Sequence, residues 1–264
     1  RVNCTIIMNN SPIGVYDSGF GGLSVWREIH RRLPEESLLY LGDGKNCPYG
    51  GRSREEITAF AREAVERLIG EGVKMVVVGC NTATTAAVDA LRAEWPDIPI
   101  VGLEPAVKPA CLSSRTRRIA VLATAHSLQS DMFLNTARRY AADVEVIKVE
   151  GRGFVELVEA SEEDSPKAER LVREVVEPLL DKGVDRIVLG CTHYPFLVPQ
   201  IERVIAGSDI EIVDSGEAVA RRVEWLLERY NLFAERGHKP DFRFITFASE
   251  EYRRRLEEKA FAGL

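Results

Sequence analysis

The chain has 264 residues, 45% hydrophobic and 29% charged, with 35 Lys and Arg against 41 Asp and Glu for a formal net charge of −6. That length and apolar content support one large domain or two of ordinary size with a real core. No basic block of the kind that neutralises phosphates occurs, which disfavours a nucleic-acid partner, and no stretch approaches the roughly 20 apolar residues that span a bilayer.

At the start, Arg1-Val-Asn-Cys4-Thr-Ile-Ile-Met-Asn-Asn10 has too short an apolar core for a signal peptide. Residues before Ser11 are expected to be an extension or a frayed end outside the fold. From there on, apolar runs alternate with helix-period segments, the pattern of β-α units around a mostly parallel sheet. The runs predict strands at 13–16, 38–41, 73–78, 98–101, 119–122, 144–149, 186–189, 211–213 and 242–247. Most are short and apolar throughout, as parallel strands covered on both faces are.

Between the runs, helix starts are legible. Ser53 and Glu56 form a capping box ahead of Ile57, Phe60, Ala61, Ala64, Val65 and Leu68, which repeat at three- and four-residue intervals. Pro166 suits a first helical turn ahead of Leu171, Val172, Val175 and Leu179. These helices are expected to cover the sheets.

The element order repeats. Ile13-Gly-Val-Tyr-Asp17-Ser18 matches Ile119-Ala-Val-Leu-Ala123-Thr124 at an offset of 106 residues, and Val-Val-Val-Gly-Cys80 matches Ile-Val-Leu-Gly-Cys191 at an offset of 111. Two matches in the same order imply an internal duplication. Turn-rich crossings near Gly102-Leu103-Glu104-Pro105 and Asp214-Ser215-Gly216 divide the chain into a discontinuous α/β domain, 1–104 plus 214–264, and a second α/β domain, 105–213. The expected fold is therefore two similar, pseudo-two-fold related domains with parallel sheets, a ligand lying in the cleft at the carboxyl ends of the strands.

Five cysteines, Cys4, Cys47, Cys80, Cys111 and Cys191, are widely spaced and form no Cys-x-x-Cys pair. That is the usage of reduced thiols in a cytoplasmic protein, with no zinc finger and no disulfide framework. Cys80 and Cys191 each follow an expected strand and precede an expected helix, where N-terminal amides favour thiolate. Against this stands the reading of each as a small buried core residue. Asn81, Thr82 and Thr192, beside the two thiols, either hold a ligand's polar groups or cap helices. His193, two residues past Cys191, is placed to tune that thiol.

Two loops add candidate anion contacts. Asp17-Ser18-Gly19-Phe20-Gly21-Gly22 follows the first strand, where glycines let amides approach an anion and Ser18 adds a hydroxyl. Its spacing fits neither Gly-x-Gly-x-x-Gly nor a P-loop, so nucleotide binding has weak support, and a plain turn and cap is the alternative. Pro48-Tyr49-Gly50-Gly51 offers a Tyr hydroxyl and amides to a carboxylate, or is a simple turn with an exposed Tyr. Two thiols on opposite walls of a cleft suit one reaction, inversion of a carbon that bears a proton. One base removes the proton from one face while an acid returns one to the other, and amide and hydroxyl donors stabilise the charge that develops.

Four of these motifs, Asp17-Ser18-Gly19-x-Gly-Gly22, Pro48-Tyr49-Gly50, Cys80-Asn81-Thr82-Ala83-Thr84 and Gly190-Cys191-Thr192-His193-Tyr194-Pro195, occur in an order that resembles the glutamate racemases of the aspartate/glutamate racemase superfamily. The resemblance runs from about Ile13 to Arg222. It implies a cofactor-independent, metal-free, two-base interconversion of L- and D-glutamate supplying D-glutamate for peptidoglycan, by a cytoplasmic enzyme that is expected to be a homodimer. It implies that Cys80 takes the proton from the D-isomer and Cys191 from the L-isomer. Asp17 and His193 are implied to assist, with Glu159 as a further acidic residue. Substrate contacts are implied at Asp17, Ser18, Tyr49, Gly50, Asn81, Thr82, Thr192 and His193. The chain departs from the family pattern at Gly44-Lys45-Asn46-Cys47 and at Glu150-Gly151-Arg152-Gly153-Phe154, and the resemblance covers the segment after Asn231 poorly.

Overall fold

In the computed structural model, which describes residues 9–262, every expected apolar run forms a strand. In chain order these are β1 Ile13–Asp17, β2 Leu38–Gly42, β3 Met75–Val78, β4 Ile100–Gly102, β5 Arg118–Ala123, β6 Glu145–Glu150, β7 Arg186–Leu189, β8 Glu211–Val213 and β9 Phe242–Thr246. Three begin later than their apolar runs, each for a local reason. Lys74 sends its N–H to Pro12 before β3. Pro99 has no N–H to give the β4 ladder. Val144 donates to Ala141 in a turn before β6.

The chain divides into two compact units, one running to Leu103 and resuming at Gly216, the other Glu104–Ser215. The first carries a five-stranded sheet in the order β4-β3-β1-β2-β9, the second a four-stranded sheet in the order β6-β5-β7-β8, and every pairing is parallel. Reading β2-β1-β3-β4 against β6-β5-β7-β8 gives the same order of elements, which is what a duplication produces. β9 is an addition to the first sheet, laid against β2.

In the first unit, β1, β2 and β3 are buried along their whole length, covered on both sides by helices. The helix Arg54–Gly70 starts at the expected capping box: Ser53 accepts from the Glu56 N–H and the Glu56 carboxylate accepts from the Ser53 N–H. It buries Ile57, Ala61, Ala64, Val65 and Leu68, while Phe60 of the expected stripe is only partly buried. Trp26, on the helix Leu23–Arg32, packs against Phe242, Phe244 and Phe261 at ring distances of 5.7, 5.6 and 5.4 Å and so docks β9 and the last helix, Glu250–Phe261. The helix Gly216–Tyr230 ends at Asn231, whose φ of +52° suits the left-handed position after a helix. Beyond it, the Leu232 carbonyl accepts from the buried Lys74 ammonium, which also bonds Glu36 and the Asn9 carbonyl. Asn10 donates to Glu235 at 3.1 Å. Asn9 and Asn10 are thus tied into this unit rather than frayed, while Cys4 and the rest of residues 1–8 lie outside the described residues.

In the second unit, Ile119, Val121, Ala123, Val188, Cys111 and Phe133 form one buried cluster. Cys111 is thereby a core residue whose thiol pKa burial raises. The helix Pro166–Leu180 has Pro166 in its first turn and Ser165 as its cap. Asp185, just ahead of β7, is buried and gathers the loop before β5. Its carboxylate accepts from Ser114 Oγ at 2.7 Å, Arg115 N at 2.5 Å and Thr116 N at 3.2 Å. Burial alone would raise the Asp185 pKa, but these donors, with Arg186 adding its charge, lower it below the usual carboxylate value. A depressed folded-state pKa means stability that is present above the unfolded value and lost as pH falls through the folded one. Asp185→Asn is therefore expected to cost about 2 kcal/mol in urea unfolding near pH 7, with the gap to the native chain narrowing as the pH falls below about 4.

Candidate active site

Each candidate thiol is placed by a glycine at the end of a central strand. Gly79, after β3, donates its N–H to Tyr16 O of β1 at 2.6 Å, and Gly190, after β7, donates to Leu122 O of β5 at 2.7 Å. There is little room for a side chain at either position. A β-carbon on Gly79 would lie 3.2 Å from Tyr16 O, and one on Gly190 would lie 2.9 Å from Ala123 Cβ. The next residue, Cys80 or Cys191, is therefore carried to the carboxyl end of its sheet in both units. Both are buried, at 5% and 7% exposure, and neither is in a disulfide.

Their surroundings then differ. Cys80 is the N-cap of the helix Asn81–Glu94, and its Sγ accepts from the Ala83 N–H at 3.4 Å. The helix continues because Thr84 donates its N–H to Cys80 O at 2.8 Å. Ser18 Oγ lies 3.7 Å from the same sulfur. Cys191 is not a helix cap, contrary to the expectation of helix amides at both thiols. The fourth residue after it is Pro195, which has no N–H to close the first helical bond. The chain instead makes the tighter bonds Tyr194 N to Cys191 O at 3.1 Å and Phe196 N to His193 O at 3.2 Å, a 3-10 turn over Tyr194–Leu197.

In place of amides, Cys191 has His193, with Nδ1 3.8 Å from the sulfur. The other ring nitrogen, Nε2, lies 2.6 Å from Glu159 Oε1, on the helix Phe154–Glu159. A carboxylate only accepts, so Nε2 carries a proton, and it is Nδ1 that the ring turns to the thiol, as a lone pair whenever the ring is neutral. Thr192 is buried beside the pair. Tyr194 is fully buried and donates to Gly151 O at 3.2 Å, and burial, together with the nearby Cys191, raises its pKa so that it stays protonated.

In the first unit, Asp17 ends β1 fully buried and its Oδ1 accepts from the Gly19 N–H at 2.8 Å, an Asx turn. It does not cap the helix that follows, Leu23–Arg32, whose N-cap is Gly22 and which has no side-chain cap bond. Asn81 is buried, and its Nδ2 has no hydrogen-bond partner among the described residues. Thr82 is buried next to it. Neither caps the helix, because Cys80 holds that position.

Tyr49 is not an exposed turn residue: it is 2% exposed, and its hydroxyl donates to Asp43 Oδ2 at 2.6 Å. That leaves Tyr16 to donate its own hydroxyl to Tyr49, at 2.7 Å. Burial raises the pKa of both phenols, helped by Cys80 and Asp43 at Tyr16 and by Tyr16 and Asp43 at Tyr49, so both remain donors. The Tyr49 hydroxyl is therefore committed inside the unit, and what its loop offers a ligand is backbone around Gly50. Sequence reasoning missed Tyr16 and Asp43. The available signal for Asp43 was an acidic residue directly after a strand and before a glycine, on the strand that pairs with the one ending in Asp17.

A family model described as Asp/Glu/Hydantoin racemase matches residues 13–223. A glutamate racemase of Roseiflexus sp. (strain RS-1) is 49% identical over 221 residues, 84% of this chain and 81% of that relative. A glutamate racemase isoform from Bacillus anthracis superposes with a TM-score of 0.84 at 34% identity, covering 96% of this chain and 95% of that one. The enzyme of Francisella tularensis subsp. tularensis, solved in complex with D-glutamate, gives 0.82 at 27% identity over 97% and 95%. The chain belongs to the Asp/Glu/Hydantoin racemase family.

The two thiol environments make separable predictions. His193→Asn is expected to slow alkylation of Cys191 at neutral pH, by removing its proton acceptor, while leaving the rate at Cys80 unchanged. Mass spectrometry of the alkylated peptides reads both rates in one sample.

Proposed function

We propose that this chain interconverts L- and D-glutamate without a cofactor, using Cys80 and Cys191 as the two acid/base groups. The observation that carries the reading is the pair of buried thiols at equivalent strand ends of two like-ordered sheets, in a chain of this family. Cys80 as thiolate removes the α-proton of D-glutamate, and Cys191 as thiol delivers a proton to the opposite face of the same carbon. In the reverse direction the roles exchange, so each turnover leaves the enzyme in the protonation state that the opposite reaction needs.

The two thiols are served differently. Amides at the start of the helix Asn81–Glu94 stabilise the Cys80 thiolate. His193 takes or returns the proton at Cys191, and Glu159 holds its ring in the working tautomer. Asp17 assists on the Cys80 side. The α-proton of an amino acid is a very weak acid, so the charge that develops on the substrate carboxylate needs fixed donors. We assign that role to Thr82, Thr192 and the Asn81 amide, and the binding of the substrate's polar groups to Ser18 and the backbone at Tyr49 and Gly50. The D-glutamate produced would supply peptidoglycan synthesis, in a cytoplasmic enzyme that works as a homodimer.

Incubation with L-glutamate in deuterated buffer is expected to exchange the α-proton and produce D-glutamate together, read by NMR and by chiral chromatography. A folded sample that does neither refutes the assignment. Cys80→Ser and Cys191→Ser are each expected to lower net racemisation by a factor of about 100 or more, and full activity in either variant would exclude the two-base scheme.

A further inference from the structure

The segment Phe242–Phe261 lies beyond the residues matched by the family model, yet it packs against the loops that carry Asp17, Ser18 and Tyr49. Those loops are bonded to each other: Asp43 N donates to Asp17 O at 3.0 Å and Gly44 N to Ser18 O at 2.9 Å. The Tyr252 ring packs against both. It lies 4.8 Å from the ring of Phe20, which is fully buried just past Ser18. It also presses on Gly44, where a β-carbon would come within 2.5 Å of Tyr252 Cε1, and where φ is +59°. Only glycine meets both demands without strain.

The helix that presents Tyr252 is fixed at both ends. Ser249 Oγ accepts from the Tyr252 N–H at 3.2 Å at its start. Arg27 donates to Ala260 O at 3.0 Å and Ala262 O at 2.8 Å at its finish. One turn along from Tyr252, Leu256 is buried against Gly42. The Arg255 guanidinium and the Lys259 ammonium lie 4.9 and 5.8 Å from the centre of the Phe20 ring. From β9, Thr246 Oγ1 donates to Asp43 O at 3.3 Å. Asp43 in turn holds the Tyr49 hydroxyl, and Ser18 lies beside the Cys80 sulfur.

We propose that Tyr252 is a positioning residue: its ring wedges the Ser18 and Asp43 loops together and so sets the substrate donors on the Cys80 side. This rests on the glutamate-racemising reading above. The ring acts by contact, so Phe substitutes for Tyr while Ala does not. The donors concerned bind the substrate in ground and transition states alike, so their displacement appears in KM.

The test compares Tyr252→Ala, Tyr252→Phe and Phe261→Ala in the full chain. Phe261 serves as control because it docks the same helix on Trp26 while its ring contacts are with Trp26, Phe242 and Phe244. Tyr252→Ala is expected to raise KM for glutamate about tenfold with kcat changed by less than about threefold. Tyr252→Phe should restore KM to near the native value, and Phe261→Ala should lower the melting temperature without moving KM. Alkylation of Cys80 by iodoacetamide in the substrate-free protein should accelerate in Tyr252→Ala and stay unchanged in Phe261→Ala. Unchanged KM and Cys80 alkylation in Tyr252→Ala, or the same KM rise in Phe261→Ala, would overturn the proposal. If the native chain fails to racemise glutamate, the functional reading falls, and the alkylation arm still decides whether Tyr252 holds the loop at Cys80.

Discussion

Everything at the candidate site depends on one backbone hydrogen bond made twice. The amides of Gly79 and Gly190 reach across to the carbonyl at the end of the central strand, Tyr16 in one sheet and Leu122 in the other. A side chain at either glycine would press on that strand, so the approach requires glycine. The bond extends the strand pairing by one residue and then releases the chain, and the first released residue is a cysteine. Because β1 and β5 are central and buried, the two thiols come out at the same end of their sheets, where open parallel sheets bind ligands.

From that shared start the fourth residue after each cysteine sets the difference. Thr84 supplies the N–H that continues a helix, so Cys80 becomes a cap and its sulfur faces an amide. Pro195 supplies none, so the chain after Cys191 winds into a 3-10 turn that swings His193 Nδ1 to the sulfur. One thiol is served by a helix terminus and the other by an imidazole–carboxylate pair. The two thiols are thus set in place by two unlike devices built on one duplicated frame.

Much of this was legible in residues close together in the chain. The apolar runs located all nine strands of the described residues, because a parallel strand buried on both faces has no polar alternation to disguise it. The Ser53–Glu56 capping box and Pro166 marked helix starts because those contacts span three or four residues. The prolines after Cys191 were equally visible, and the missing helical N–H at Pro195 was the signal that the two cysteine turns would diverge. Tyr49 was harder: Pro48 and Gly50 around it read as an exposed turn, whereas Asp43 and Tyr16 draw the side chain inward.

Local chemistry in the chain was therefore enough to establish the α/β class, the repeated strand–glycine–cysteine design and the residues that flank the thiols, since each depends on periodicity, turn geometry or a bond between near neighbours. The partners of those residues were decided by strand order and register. Glu159 meets His193 across 34 positions, Tyr49 meets Tyr16 across 33 and Tyr252 meets Gly44 across more than 200. No periodicity encodes such pairs. They exist because β9 joins the edge of β2, β1 lies between β2 and β3, and β7 lies beside β5, which brings distant loops to one end of each sheet.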